Sequence, residues 1–444
     1  MTRAMGMGLW HCRIAAMYAA AYVWRGLLFR TTFIAITGSM GKTTAKECLA
    51  AILSARAPTV SSQANQNDYS GVPRSLLRVR PWHRFAVIEV AANGLGLMRR
   101  SSRLVRPDIA IVLLVARNHM KNFRTLEKVA AEKALLLARL RPGGTAILNG
   151  DDPRVAAMAQ SLQRKVVWFG TAPSLDYRAE AVSSNWPRRL SFELSAGAER
   201  KTVQTRLVGG HWKSPLLASV AAANVCGVSL DDAIRAVGEI EPIPARMQPI
   251  RLSTGAIVVR DELDGSIGAL ASAFAAFEAA TADRKILVLS GVTDSTLGPR
   301  DRYRKLGRDV ARIFGIAVFI GGDSAHGVNG AIAAGMRTES AHGFASFAQA
   351  LDFLGTELRT GDLVLLKGRA TDHLTRLAYA LVGPIQCRLP RCEKRIVCDL
   401  CPELGALTPL KPEPEPSLHT AARWQHSPTA EVEPGKPPPS PSRC

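Results

Sequence analysis

Phe33-Ile34-Ala35-Ile36-Thr37-Gly38-Ser39-Met40-Gly41-Lys42-Thr43-Thr44 is the stretch that decides the fold. Its apolar start reads as a short buried strand, its two glycines as a tight turn, and Lys42 onward as the beginning of a helix. That order makes a phosphate cradle, because backbone N–H groups point into the turn and the helix N-terminus adds positive potential. Gly38 and Gly41, with Ser39 between them, let the main chain approach phosphates closely. Lys42 is spaced to reach the terminal phosphates, Thr43 to offer its hydroxyl to Mg²⁺, and Thr44 joins the same candidate phosphate-binding set. A full P-loop has Gly where Ile36 stands, so the form here is shortened. The plain alternative is an ordinary strand–turn–helix.

Outward from this stretch, residues 33 to about 150 alternate strand and helix patterns, as a parallel α/β sheet does. Phe85 to Val90 is a buried-strand pattern carrying Glu89 at its end, and Ile109 to Val115 is another, followed by Arg117-Asn118-His119. In an open α/β sheet the ligand crevice lies beyond the carboxyl ends of the strands. Glu89 and His119 are both placed there, and a carboxylate beside the loop threonines suits a hard cation. A helix cap or a surface position is an equal reading of either residue. Leu126 to Leu140 reads as a helix carrying Lys133, and Thr145 to Leu148 as a strand closed by Asn149-Gly150-Asp151-Asp152. A β insertion is expected at about 175–210, then helices at Leu216 to Val225 and Leu230 to Val237. A second α/β pattern runs from about Ile250 to Val382, with strands at Ile257–Val259, Lys285–Leu289, Ala317–Ile320 and Leu363–Leu366.

The chain has 444 residues, enough for two or three domains with real cores. Its net charge of +20 is uneven: residues 1–141 hold 22 Lys/Arg against 6 Asp/Glu. Such a field favours anionic partners, namely nucleotides or acidic lipid surfaces. No nucleic-acid motif and no interleaving of aromatic with basic residues is present, so no nucleic-acid partner is expected. Residues 8–28 form an apolar stretch broken by His11, Arg13 and Arg25, too short to span a bilayer. They read as a helix packed on the domain or as an interfacial helix in peripheral contact with a membrane. A cleaved signal peptide would export a phosphate-binding domain, so a cytosolic setting is expected.

Cys12, Cys48 and Cys226 are scattered and read as buried small hydrophobes. Cys387, Cys392, Cys398 and Cys401 are clustered, and the Cys-x₂-Cys half suits tetrahedral Zn²⁺; free thiols are the alternative. From Gly405 the composition turns to Pro, Ser and Glu without periodicity, which predicts disorder. The expected organisation is an apolar helix over 1–30, an ATP-binding domain over 31–249, a second α/β domain over 250–386, a Cys-rich knuckle over 387–404 and a tail over 405–444.

The order of features resembles the Mur ligase family. Thr37-Gly38-Ser39-Met40-Gly41-Lys42-Thr43-Thr44 has the form of its phosphate loop, and Phe85 to Asn93 that of its metal-binding strand. Asn65-Gln66-Asn67 with Gly71-Val72-Pro73 is similar to its substrate-side loop. Val105 to Ala110 followed by His119, and Val129-Ala130-Ala131-Glu132-Lys133, resemble its histidine and carbamylated-lysine segments. Pro242 to Met247 resembles the arginine motif at its domain junction, and Leu363 to Arg369 its last strand. The likeness spans about 31–383 and is nearest to members that add D-alanyl-D-alanine to the UDP-muramoyl tripeptide.

This resemblance implies a P-loop-type central domain followed by a Rossmann-like domain, and an ATP-dependent amide ligase. A carboxylate is activated as an acyl phosphate and then attacked by an amine, in cell-wall or related envelope polymer synthesis. It implies Mg²⁺ on Thr43, Glu89, His119 and a carbamylated Lys133, catalytic roles for Lys42, Lys133 and His119, and ATP contacts from Arg246 and Asp261. The expected partners are small-molecule or peptide carboxylates and amines. About 30 residues precede the loop, where the family has a UDP-sugar-binding domain, and the adenine-side motif reads His211-Trp212-Lys213. A ligase for a different polymer and a non-catalytic nucleotide-binding protein are the competing readings.

Overall fold

The computed structural model describes residues 2–63, 66–117, 120–389, 392–394 and 396–414, without the side chains of residues 2–11 and 121. The quoted stretch is β1 (Thr32–Thr37), a glycine turn, and the helix Lys42–Ser54. With β2 (Thr59–Ser61), β3 (Phe85–Glu89), β4 (Ile109–Val112), β5 (Thr145–Asn149), β6 (Lys165–Gly170), β7 (Tyr177–Ser183), β8 (Ser191–Ala196) and β9 (Glu199–Gln204), it forms a nine-stranded sheet. The order is β2-β3-β1-β4-β5-β6-β7-β8-β9. The strands from β2 to β6 pair in parallel, whereas β7, β8 and β9 pair antiparallel with one another as the expected insertion at the sheet's far edge.

Alternation explains why β1 is central. Ile34 and Ile36 face one layer, with Cys48, Leu49 and Ile52 of the first helix and Leu216, Leu217 and Val220 of the helix Lys213–Val225. Phe33 and Ala35 face the other, with Ala21 of the N-terminal helix Thr2–Leu27 and Leu28 just after it. Each fully buried Ile, Leu, Val or Phe among these contributes about 1.5–3 kcal/mol. A strand buried on both faces needs the near-continuous apolar run that the sequence supplies.

The N-terminal helix packs on the helices Gly71–Leu77 and Leu97–Val105. Arg25, 4 % exposed, donates to the carbonyls of Val105 (2.7 Å) and Arg106 (2.8 Å) and lies 3.7 Å over the Phe33 ring. Cys12 is exposed, a correction to the expectation that it is buried; Cys48 is buried and Cys226 half-buried.

The second sheet is β10 (Gln248–Arg251), β11 (Ile257–Asp261), β12 (Arg284–Leu289), β13 (Ile316–Ile320), β14 (Ala341–Phe344) and β15 (Asp362–Lys367). Its order is β10-β11-β15-β12-β13-β14, parallel except for β10. The stretch after its last helix, Thr375–Val382, folds back on this domain. Arg260, 1 % exposed, is clamped between Glu262, Gln248 and Asp399 at 2.6–3.0 Å, which anchors the Cys-rich segment. The disorder expected from Gly405 does not begin there. Leu410 packs on the second core, Glu413 N–H donates to Pro249 O, its carboxylate pairs with Arg251, and Arg189 donates to the carbonyls of Glu413 and Pro414. The expected tail from 415 onward lies outside the described residues.

Candidate active site

The crevice sits where the strand order reverses, between β3, β1 and β4, as it does in open α/β sheets. Gly41 turns the chain with φ 80°, a left-handed conformation, and so aims the first N–H groups of the helix into the turn. The turn is tight: a Cβ on Gly38 would lie 2.9 Å from Leu113 Cβ, and one on Gly41 2.8 Å from Pro215 Cγ. Ser39 ties the loop to the end of β4, donating its N–H to Leu114 O (2.8 Å) and its hydroxyl to Ala116 O (3.0 Å).

Lys42 Nζ curls back to the loop carbonyl of Gly38 at 2.8 Å. Burial lowers its pKa, opposed by Glu89 and Asp264. Thr43 donates its hydroxyl to Glu89 Oε2 (3.1 Å), and Asn67 donates its amide to Glu89 Oε1 (2.6 Å). Thr43 and Glu89 are therefore adjacent oxygen donors at the helix mouth, the donor chemistry that Mg²⁺ takes. Lys133 is 3 % exposed on the helix Leu126–Ala134. Burial, then the nearby charge of Lys42, holds its pKa well below the ordinary lysine value. His119 lies outside the described residues.

A cavity of about 200 Å³ adjoins the loop. Ser39, Gly41, Lys42, Thr43, Thr44 and Glu89 line one side, His211 and Trp212 another, and Arg246 at the domain junction with Asp261, Asp264 and Lys367 of the second domain close it. The expected partners Arg246 and Asp261 are thus brought to the loop, across more than 200 residues of sequence. Ala245 (φ 54°) and Met247 (φ 50°) both adopt left-handed backbone on either side of Arg246. Such conformations cost about 1–3 kcal/mol each and cluster at ligand clamps.

Asp261 pairs with Lys367 at 2.5 Å and accepts from Met247 N–H; burial raises its pKa, against Lys367. For Asp264 burial acts upward, but Lys367 and Arg246 outweigh it and keep the carboxyl low. His211 is pushed down to about 3 by burial and Lys367, so it is neutral. Thr44 Oγ1 and Ser214 Oγ are buried beside this cavity with no hydrogen-bond partner among the described residues. Unsatisfied hydroxyls and a cation turned on its own loop fit a polyanionic nucleotide. The bond from Asn67 to Glu89 and the places of Asp264 and Lys367 at the site are not legible in the sequence. The apolar run before Lys367 was the one local signal.

Arg246 and Asp264 also line a second, larger cavity of about 990 Å³ between the domains, with Arg124, Asp294, Arg302 and Arg369. The clustered cysteines behave otherwise. Cys387, Cys392, Cys398 and Cys401 border one small cavity with His373, and Cys398 Sγ is 3.3 Å from His373 Nδ1. Among the described residues, however, no group of three or more His, Cys, Asp or Glu side chains is placed to hold a metal ion. The four are free cysteines, with Cys398 buried in a small apolar cluster with Ile385 and Leu404.

A phosphate loop at the switch point of a parallel sheet, closed by charged side chains of a second α/β domain, defines a two-domain nucleotide-dependent enzyme. The comparisons fix the class. Residues 36–223 match the Mur ligase middle domain. The chain is 30 % identical over 397 residues to the UDP-N-acetylmuramoyl-tripeptide–D-alanyl-D-alanine ligase of Mycobacterium bovis, covering 84 % of this chain and 77 % of that one. It is 31 % identical to the Escherichia coli enzyme of the same name over 54 % of this chain and 53 % of that one. A crystal structure of MurF from Acinetobacter baumannii superposes with TM-score 0.76 at 25 % identity, covering 83 % and 80 %. That of MurF ligase from Thermotoga maritima, in complex with ADP, shares the fold with TM-score 0.71 at 20 % identity, covering 80 % of each.

The chain belongs to the Mur ligase family. It is an ATP-dependent ligase that joins an acid to an amine through a carbon–nitrogen bond.

Proposed function

We propose that this ligase acts in the cytosol on peptidoglycan precursors, joining the terminal carboxylate of a UDP-linked muramoyl peptide to the amine of D-alanyl-D-alanine. The observation that carries this reading is that Arg246 and Asp264 line both cavities, so the phosphate loop opens directly onto the arginine-rich cleft. A dipeptide acceptor is a zwitterion. Arg124 suits its carboxylate through a fork-shaped guanidinium donor, Arg302 (bonded to Val292 O and Leu297 O) and Arg369 (paired with Asp372) add positive potential, and Asp294 suits its ammonium.

The chain's own groups divide the work. Lys42 and the loop amides hold the terminal phosphates of ATP as the donor carboxylate attacks the γ-phosphorus and displaces ADP to give the acyl phosphate; the amine then displaces phosphate, losing its proton, to form the amide, and Arg246 offsets charge from the domain junction. Low-lying Asp264 stays anionic near the incoming amine. Thr43 and Glu89 are the residues for Mg²⁺, which when bound neutralises phosphate charge. Depressed Lys133 supplies the neutral amine that captures CO₂, and the resulting carbamate adds anionic oxygens to that set.

The test combines ATP, UDP-muramoyl tripeptide and D-alanyl-D-alanine with the purified chain, reading phosphate release together with the amide product by mass spectrometry. Phosphate release and product should both require all three, and both should vanish in folded Lys42→Ala. Product formation with a different amine and none with the dipeptide would reassign the acceptor.

A further inference from the structure

We propose that the surface at the carboxyl end of the N-terminal helix docks this ligase on an anionic lipid surface. The helix is fixed on its inner side. Ile14, Ala21 and Leu28 are buried, Trp24 donates its indole N–H to Val79 O at 2.9 Å, and Arg25 holds two carbonyls beneath it. Its outer side remains open: Tyr22 is 55 %, Val23 63 % and Leu27 61 % exposed, and Phe29 just beyond is 73 % exposed. Val23 and Leu27 are four residues apart, hence on one face.

A second segment joins this patch. Trp82, 68 % exposed, sits in a turn held against the helix end, where Thr31 donates its hydroxyl to His83 O (2.8 Å), Thr32 N–H donates to Arg84 O (2.9 Å) and Arg84 donates to Arg30 O (3.3 Å). Five of the twelve large exposed apolar side chains among the described residues therefore gather at one corner of the molecule. Isolated exposed apolar groups are ordinary, but a cluster with aromatic members rimmed by cations marks an interaction surface.

The charge names the occupant. Exposed Arg30, Arg80 and Arg84 border the patch, and residues 1–88 contain eleven Lys/Arg but two acidic residues, Glu47 and Asp68. Both of these are engaged, Glu47 with Lys46, and Asp68 with the N–H groups of Ser70 and Gly71. A second copy across a two-fold axis would set like charges against each other. A bilayer with anionic headgroups instead takes the arginines at headgroup level and the Trp, Phe and Leu side chains at the acyl boundary. No helix among the described residues is long and apolar enough to cross a membrane, so the contact is to the surface.

The experiment is co-sedimentation of the full chain with vesicles of phosphatidylglycerol and phosphatidylcholine, against vesicles of phosphatidylcholine alone, at low and high salt. Binding should be confined to the anionic vesicles and weaken as salt screens the arginines. Leu27→Ser/Phe29→Ser/Trp82→Ser, and separately Arg30→Gln/Arg80→Gln/Arg84→Gln, should each weaken it at least tenfold while ATP-dependent turnover is kept. Equal binding to neutral vesicles, no binding, or binding untouched by both triple variants overturns the proposal. So does self-association in analytical ultracentrifugation that the same substitutions abolish, which would make the patch an interface between copies.

Discussion

Substituting Gly41 by Ala isolates what the phosphate loop demands of its backbone. Two costs are superposed. The left-handed conformation at φ 80° costs a non-glycine residue about 1–2 kcal/mol. The new Cβ would also lie 2.8 Å from Pro215 Cγ, on a helix whose first turn borders the nucleotide cavity. Relieving that contact requires a shift of packed atoms, worth about 1–3 kcal/mol. Gly96 separates the two costs, because it has the same φ of 80° with nothing within 4 Å of a built Cβ. Gly96→Ala should therefore lose about 1–2 kcal/mol, and Gly41→Ala about 2–5 kcal/mol. In a double-mutant cycle, Pro215→Ala should recover most of the excess. The assay is urea unfolding followed by tryptophan fluorescence, alongside the KM for ATP, which should rise in Gly41→Ala and not in Gly96→Ala. Equal losses at the two glycines, with no coupling to Pro215, would refute the steric argument.

Lys133→Ala should lose ligation while keeping its fold, and acetate should partly restore it; unchanged turnover in bicarbonate-free buffer would show that no carbamate is needed. Arg260→Met leaves Glu262 buried and unpaired, and should cost about 3–5 kcal/mol by urea unfolding; a loss under about 1 kcal/mol contradicts the clamp. His211 is held at about 3 against an ordinary 6.5, so the unfolded chain takes up a proton that the folded chain refuses. Stability should then fall as pH drops below about 6.5, and the melting temperature of His211→Gln should depend less on pH in that window; identical slopes would place His211 in water.

Long strands were legible because a doubly buried strand must be an unbroken apolar run, as in Phe85–Glu89 and Asp362–Lys367. The strands Gln248–Arg251 and Ala341–Phe344 lie at the edges of their sheet and carry Pro249 and Gly343, so they lack that signature. The same logic holds in the site. Glu89 announces itself as a carboxylate closing an apolar run. The Asp261–Lys367 pair spans 106 residues and the Arg260–Asp399 pair 139, distances that only folding closes. The Arg246 clamp rests on left-handed backbone at Ala245 and Met247, neither of which is a residue type that advertises it. A proline-rich composition concealed the hold on residues 405–414, which depends on a few contacts rather than on periodicity.

That hold has a mechanical consequence. The covalent passage from the first domain to the second runs through residues 240–247, and taken alone it would act as a universal joint. Residues 413–414 add a second attachment, gripping Arg189 on one body and Pro249 and Arg251 on the other. Two further bonds cross between the bodies: Thr281 N–H donates to Trp186 O (3.0 Å) and Met120 N–H donates to Asp294 Oδ1 (3.3 Å). Drawing Asp264 and Lys367 away from the phosphate loop must therefore break these bonds or tear the strap from one of its anchors.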